Sequence, residues 1–548
     1  MSRFDLAKKQ KQHNRKAQNI GAYSGYMLFS MIATVIAKVI GFVREIMITG
    51  RFGYGTVSDG YILGFSVPDL VYSILIGGAI SSAVTPLLSA SIEKDEEEKV
   101  WPSISSFFTL ILVVFFAFML IGEVFAPQLV SIINPDKDPV VLDIASSVSR
   151  VVFLQTFFFI LISIISSALS ANKVYGLPAL ADSVYNFFCL IAIVFLGAAS
   201  KEGAIKVAWG IVFAALMYFA YVFYFARPYM QNFRPRLKLN DKRMWYIMWL
   251  AVPALLSGTV NQLNVIAQQS YSNQFSGAVT SLRNATTLYN LPYQIIVITL
   301  GTFLLPNMSG FLAKQEIKSA SNFLSKTIKL ALFLLVPAAI IFLVFSEETI
   351  QAVYQWNKNS YTDANVAATA SLLKILAVNL IVLAFIYFIN QVFYSVQKNY
   401  VTLINSAVSL ILNVIFCELY INHLGMGIEG LAYASLSGNL IAMLVAFMFM
   451  RKIISNLKIE NFAMFLLKSA VGAFFSFSVL FLAKTILPYH DAKILQLIQY
   501  VFVFGLGFAT YIFAAILMQM EEVQSIVNMV KGLFTKIFPK KELANDTE

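Results

Sequence analysis

Lys38, Arg44 and Glu45 stand inside 32-IATVIAKVIGFVREIMI-48, a stretch otherwise apolar enough to lie in a bilayer. A charge at the bilayer centre costs from about 2.5 to more than 10 kcal/mol unless it reaches water or a partner. On a helix Lys38 and Arg44 differ by roughly 120° in bearing and about 9 Å in rise, so both can border one wide cavity. Arginine offers a planar fork of donors matched to carboxylate and phosphate, and lysine a mobile point charge. The chemistry this pair suits is the binding of an anion. Asp59, early in the second apolar segment, and Arg283, in the eighth, extend the set. A structural explanation competes: single side chains snorkel to an interface, or pair as Arg44–Asp59. The set is net positive and Lys38 is in mid-helix, which favours a hydrated cavity of positive potential.

The elements that must hold these residues are membrane helices. Of 548 residues, 58% are hydrophobic and 13% charged, against about 45–50% and about 25% in soluble domains. Mean hydropathy is +0.73. Apolar runs of about twenty residues recur along the chain, each long enough to cross about 30 Å of hydrocarbon. They do not alternate in polarity, which excludes a β-barrel. The expected class is an all-α polytopic membrane protein of about 14 spans, at 24–49, 57–90, 103–126, 147–170, 177–198, 204–226, 244–270, 277–309, 322–346, 366–396, 400–422, 428–450, 463–487 and 494–518. Pro68, Pro253 and Pro292 fall inside the second, seventh and eighth and favour bends there. Asn261, Gln262, Asn264, Asn379, Asn390 and Gln391 read chiefly as links between helices.

Charge orients the chain. With the N-terminus inside, 25 of the 40 lysines and arginines fall on the cytoplasmic side and 6 on the other, a strong positive-inside bias. Both termini are then cytoplasmic. The net charge of +11 is mostly this signal, and it is spread over many loops, which argues against nucleic-acid binding. The basic segment 227-RPYMQNFRPRLKLNDKR-243 suits anionic lipid heads. No small-residue cleavage site follows the basic N-terminus, so no cleaved signal peptide is expected. Cys189 and Cys417 lie in separate apolar runs, and His13, His423 and His490 are scattered. Neither a disulfide framework nor a metal site is expected. No phosphate-binding G-x-x-x-x-G-K-[ST] loop occurs, which argues against ATP hydrolysis. No filter-like short loop suggests a channel. No cofactor is expected, and coupling is to the membrane potential or a monovalent cation.

Two segments resemble each other at an offset of 224 residues: 53-GYGTVSDGYILGFSVP-68 and 277-GAVTSLRNATTLYNLP-292. Gly53 matches Gly277, Pro68 matches Pro292, and Asp59 falls opposite Arg283. The repeat suggests two related six-helix lobes with two helices appended, and a path between the halves. The expected organisation is a tail at 1–23, an N-lobe at 24–226, a basic linker at 227–243, a C-lobe at 244–450, helices 13 and 14 within 451–518, and a tail at 519–548.

The pieces 37-AKVIGFVREIMITGRFGYGTVSDGYILGFSVPDL-70, 77-GGAISSAVTPLLS-89 and 300-LGTFLLPNMS-309 resemble the lipid II flippases, the MurJ (MviN) family of the multidrug/oligosaccharidyl-lipid/polysaccharide exporter superfamily. The resemblance covers nearly the whole chain. It implies two six-helix lobes around a cationic cavity and a groove on helices 13 and 14 for a lipid tail. It implies a bacterial cytoplasmic-membrane location and a polyprenyl-diphosphate-linked glycan as cargo, with cell-wall synthesis enzymes as partners. The family's basic positions in helix 1 fall on Lys38 and Arg44, and its acidic position early in helix 2 on Asp59. Two further basic positions fall on Ser73 and Thr287, and an acidic one on Gly77. Arg283, one turn before Thr287, is placed to substitute. The departures leave room for another lipid-linked oligosaccharide, such as a capsule or teichoic precursor. A multidrug antiporter is the third reading, but it calls for cavity carboxylates and twelve spans.

Overall fold

The computed structural model describes residues 20–76, 83–135, 137–172, 174, 176–453, 459, 461–487 and 492–524. The expected tails beyond residues 20 and 524, and the position Gly77, lie outside them. Among the described residues there is no strand. The helices are α1 (Ile20–Phe52), α2 (Thr56–Leu63), α3 (Ser66–Leu75), α4 (Thr85–Glu93), α5 (Glu97–Ile133), α6 (Pro139–Ala171), α7 (Gly176–Leu196), α8 (Lys201–Ala226), α9 (Lys242–Ser272), α10 (Ala278–Pro292), α11 (Thr299–Ala313), α12 (Ile317–Val344), α13 (Ser346–Tyr354), α14 (Asp363–Ser395), α15 (Asn399–Cys417), α16 (Glu429–Ile453), α17 (Phe462–Ile486) and α18 (Lys493–Leu517). Eleven helical stretches are long and apolar enough to cross a membrane. The other three expected spans fall on α1, on the segment from α2 to α4, and on α7. The chain is a multi-pass helical membrane protein.

Two expected helices are not continuous. The span at 57–90 breaks at Gly64–Phe65, between α2 and α3. Pro68 has no N–H to give the carbonyl four residues back, and that carbonyl belongs to Gly64. The span at 277–309 passes through a π-helix at Tyr293–Ile298, directly after Pro292. Such widened turns form where the regular ladder is interrupted. Pro253 sits inside α9 without dividing it. The short helix α13 was not expected at all. Polar N-caps start several of the others: Asp138 accepts from Val140 N, Ser200 from Gly203 N, and Asp241 from Arg243 N.

The helices fall into two compact units. One comprises residues 1–287, 354–372 and 399–438. Its core gathers Phe107, Phe108, Phe115 and Phe153 with Leu63, Val148 and Val152. Within it Asn413 Nδ2 donates to Asn264 Oδ1 at 2.8 Å, a polar link from α15 to α9. The other comprises residues 288–353, 373–398 and 439–548. There Asn439 Nδ2 donates to Asn379 Oδ1 at 3.1 Å, joining α16 to α14.

In the second unit α17 and α18 pack on each other and on α12. Ile341 and Val344 meet Leu480 and Val503. Ser469 and Tyr511 hydroxyls lie 2.7 Å apart, and Ser476 Oγ donates to Gly507 O at 3.0 Å. Lys484 pairs with Glu348 at 2.8 Å, and Lys493 Nζ donates to Gln351 O at 2.5 Å, so both helices are tied to α13. Gly472 serves close packing of α17 on α18: a Cβ there would lie 3.2 Å from the Tyr511 ring. Gly472→Leu is expected to destabilise the protein by about 1–3 kcal/mol through overpacking, read as a lower melting temperature in detergent. Gly505→Leu is the control, since a Cβ at Gly505 meets nothing within 4 Å. It should leave the melt unchanged.

Candidate functional site

The charged residues of α1 and α10 meet in the first unit. Glu45 Oε1 accepts Arg44 Nη2 at 2.5 Å and Arg283 Nη2 at 3.1 Å, and its Oε2 accepts Arg283 Nε at 3.0 Å. One carboxylate thus holds two guanidinium groups, and Arg283 grips it with both prongs of its fork. Without Glu45 the two cations would repel across a short gap. The cluster keeps one net positive charge. It is not sealed: the side chains of Arg283, Arg44 and Glu45 are 48%, 21% and 12% exposed. A helix does not by itself bring Arg44 onto its neighbour Glu45, since adjacent side chains diverge by about 100°. The arrangement therefore relies on Arg44 folding back along α1.

Asn186 of α7 fixes that geometry. Its Oδ1 accepts Arg44 Nη1 at 3.0 Å, while its Nδ2 donates to Ala37 O at 3.3 Å and Asp182 O at 3.0 Å. The Arg44 guanidinium also stands 5.9 Å from the centroid of Tyr185, within cation–π reach. The Nε of Arg44 is buried and has no hydrogen-bond partner among the described residues. Lys38, earlier on α1, is exposed and lines a cavity of about 300 Å³ with Tyr72, Asp182, Tyr185, Asn186 and Tyr218. It makes no ion pair among the described residues. Lys38 and Arg44 therefore flank Asn186, one in the cavity and one in the arginine cluster.

Asp59 has a different setting. It is 1% exposed. Lys137 Nζ donates to its Oδ2 at 3.0 Å, and Thr280 gives its Oδ1 both a backbone N–H at 2.9 Å and a hydroxyl at 2.6 Å. The alternative pair Arg44–Asp59 is not formed. Asp59 is claimed by Lys137 and by the first turn of α10, where orphan N–H groups favour a carboxylate. Around it the two repeat segments meet. Gly53 and Gly277 both adopt left-handed backbone, with φ of 76° and 71°. Tyr54 and Ser281 hydroxyls lie 2.8 Å apart, and Thr49 Oγ1 donates to Asn284 Oδ1 at 2.9 Å. A side chain at Gly277 would collide with the Tyr54 ring.

Of the four residues singled out by sequence, the structure brings Arg44 and Arg283 together, sets Lys38 on a cavity whose wall includes Asn186, the partner of Arg44, and holds Asp59 apart in the buried network. Thr287 turns its hydroxyl back to the Arg283 carbonyl at 2.8 Å, directly under Arg283 on one helix face. Sequence reasoning noticed Glu45 but not that it bridges two arginines. It missed Asn186, Asp182 and Lys137. Asn186 and Asp182 are polar residues in an apolar span, which is the signal that was available for them; Lys137 reads only as a loop lysine.

Apolar helices in this arrangement, with charges kept at a partly open internal cluster, define a membrane transport protein of the exporter fold. The structure is similar to a solved inward-closed conformation of a lipid II flippase MurJ, with a TM-score of 0.73 and 20% identity over 90% of this chain and 99% of that one. It is similar also to an inward-facing multidrug resistance MATE family transporter of the MOP superfamily, with a TM-score of 0.64 and 12% identity over 77% and 96%. A probable lipid II flippase MurJ of Buchnera aphidicola subsp. Acyrthosiphon pisum is 24% identical over 73% of this chain and 79% of its own. The family model for lipid II flippase MurJ matches residues 48–502. The chain belongs to the MurJ lipid II flippase family.

Proposed function

We propose that this protein carries lipid II, a polyprenyl-diphosphate-linked glycan, from the inner to the outer leaflet of a bacterial cytoplasmic membrane. The observation that carries the reading is the Arg44–Glu45–Arg283 cluster with Lys38 beside it: net positive, partly open, and rich in donors with a fork geometry. A diphosphate supplies oxygens that guanidinium forks bind in parallel pairs. Glu45 keeps the two arginines at one place before the substrate arrives, and the diphosphate takes over their forks by displacing Glu45, on which Arg283 spends both prongs. The polar head enters the cavity while the polyprenyl chain stays in lipid, and helices 13 and 14 (α17 and α18) guide that chain. Two lobes, 24–226 and 244–450, rock about the bound head to give alternating access. No covalent step is involved. An interior-negative potential favours anion export by about 2.3 kcal/mol per charge per 100 mV, and a monovalent cation resets the carrier. The cell-wall synthesis enzymes that consume the glycan are the partners on the outer side.

A flipping assay in liposomes tests the reading: purified protein should translocate lipid II faster than a teichoic or capsular polyprenyl precursor. The opposite order would favour the second cargo, which the replacement of two family basic positions by Ser73 and Thr287 keeps in view. Topology is tested separately. Both termini and the 227–243 linker are cytoplasmic, and 355–362 is outside. Reporters fused after residue 240 and at the C-terminus should therefore read as cytoplasmic, and one inserted in 355–362 as external. An external signal from the linker would overturn the orientation.

A further inference from the structure

The cavity beside Lys38 holds chemistry that a diphosphate does not use. Its wall is made by α1, α3, α6, α7 and α8, all of the first unit, and its volume is about 300 Å³. Ligand pockets begin at about that size. Besides Lys38 its charged group is Asp182. The Tyr218 hydroxyl donates to Asp182 Oδ1 at 2.6 Å, and Oδ2 accepts no hydrogen bond among the described residues. The Tyr185 and Tyr218 rings stand 6.0 Å apart, inclined at 39°. Tyr72 closes the wall with its hydroxyl 2.9 Å from Ser163.

This set excludes several occupants. A phosphate drawn past Lys38 as far as Asp182 would meet its carboxylate, with which it repels. A polyprenyl chain would strand Lys38 and the open oxygen of Asp182 without water. A small cation attracted to Asp182 would face Lys38. What fits is a neutral ring with hydroxyl donors on its rim and C–H groups on its faces. Its hydroxyls donate to the open oxygen of Asp182, and its apolar faces pack on tyrosine rings. Carboxylate, phenol and amide around aromatic surface is the chemistry that recognises a sugar.

We infer that this cavity is the subsite for the first sugar of the glycan head, the pyranose ring bonded directly to the diphosphate. The inference rests on the diphosphate reading of Lys38 and Arg44. Given that reading, covalent continuity puts the first ring next to Lys38, and the cavity is the polar, aromatic-walled space at that place. Asn186 ties the two subsites, since it positions Arg44 on one side and lines the cavity on the other.

The test compares two lipids on purified full-length protein in nanodiscs: undecaprenyl diphosphate, and the same lipid bearing one N-acetylated hexose. Wild type should bind the glycosylated lipid about tenfold more tightly, the scale of a hydrogen bond to a charged group. Asp182→Asn and Tyr218→Leu should erase that margin. Tyr218→Phe, which keeps the ring and loses the hydroxyl, should reduce it at least about threefold. Lys38→Ala should weaken both lipids together. Equal wild-type affinity for the two lipids overturns the subsite and leaves the diphosphate reading standing, as does an unchanged margin in Asp182→Asn. Should Asp182→Asn fail to fold, Tyr218→Phe decides alone, and an unchanged margin there overturns the subsite. A wild type with no affinity for either lipid overturns the diphosphate reading and the subsite with it.

Discussion

Arg44→Ala should abolish growth of a bacterium that depends on this protein as its lipid II flippase, while the variant still reaches the membrane. Arg44 joins three groups at once: Glu45, Asn186 and the Tyr185 ring. Its loss removes one of two forks and frees Glu45 to neutralise Arg283. The cluster then falls from net positive to neutral, and the attraction for a diphosphate goes with it. Hydrogen bonds to charged groups are worth about 1.5–3 kcal/mol each, so affinity should fall on the order of tenfold to a hundredfold. Arg44→Lys keeps the charge and loses the fork, and should transport at an intermediate rate. Arg283→Ala should be milder, because its side chain is 48% exposed and solvent screens it. Glu45→Ala separates the two roles of the carboxylate. It raises net charge, yet transport should drop, since the two arginines then repel and scatter. Cysteines placed at 38 and 44 supply the structural half of the test. After removal of Cys189 and Cys417, which are both buried, each should react with a membrane-impermeant thiol reagent in at least one conformation. Growth on both alanine variants, Lys38→Ala and Arg44→Ala, together with unreactive cysteines, would make these charges structural.

How much of this was legible before any coordinates depends on distance along the chain. Hydropathy is a local property, so thirteen of the fourteen expected spans coincide with a helical stretch, and the described residues of the span at 57–90 fall on α2, α3 and α4. The breaks in two of them were signalled by Pro68 and Pro292, but a proline bends one helix and interrupts another, and α9 carries Pro253 unbroken. The choice is made by the neighbours. The helix α13 escaped because its first turn holds Glu347 and Glu348, and a short polar segment between apolar runs reads as a loop. Within the site, Lys38 and Arg44 announced themselves by being expensive where they stand. Their partners did not. Glu45 and Arg283 lie 238 positions apart, and nothing in either segment encodes that separation. The repeat set Asp59 opposite Arg283, which tempted a common role. The fold uses the two positions differently: Asp59 points into the start of α10, whereas Arg283 reaches back to α1.

Asp59→Ala should be the most destabilising single change in the first unit. The Lys137 and Asp59 side chains are 5% and 2% exposed. Removing one partner of such a pair leaves a buried charge without compensation, at about 3–5 kcal/mol. Here it also leaves the Thr280 N–H and hydroxyl without their acceptor. The variant should melt well below wild type in detergent and accumulate poorly in the membrane. Asp59→Asn tests what the cost consists of. An amide oxygen can still accept from Thr280, so most of the loss in that variant belongs to the stranded Lys137. Adding Lys137→Met removes the stranded charge, and the double variant should recover part of the melting temperature, because a buried pair is often replaceable by neutral groups of similar size. Transport should not recover in parallel. On the proposed topology this network lies toward the outer face, and we propose that α2 and the start of α10 part there when the head group leaves. An ion pair that water can solvate on opening is a reversible latch, whereas a neutral, well-packed replacement has no such compensation when it separates. A double variant that regains stability and full flipping together would mean that Asp59 and Lys137 only hold the fold. One that regains stability but flips slowly would assign them to the opening step.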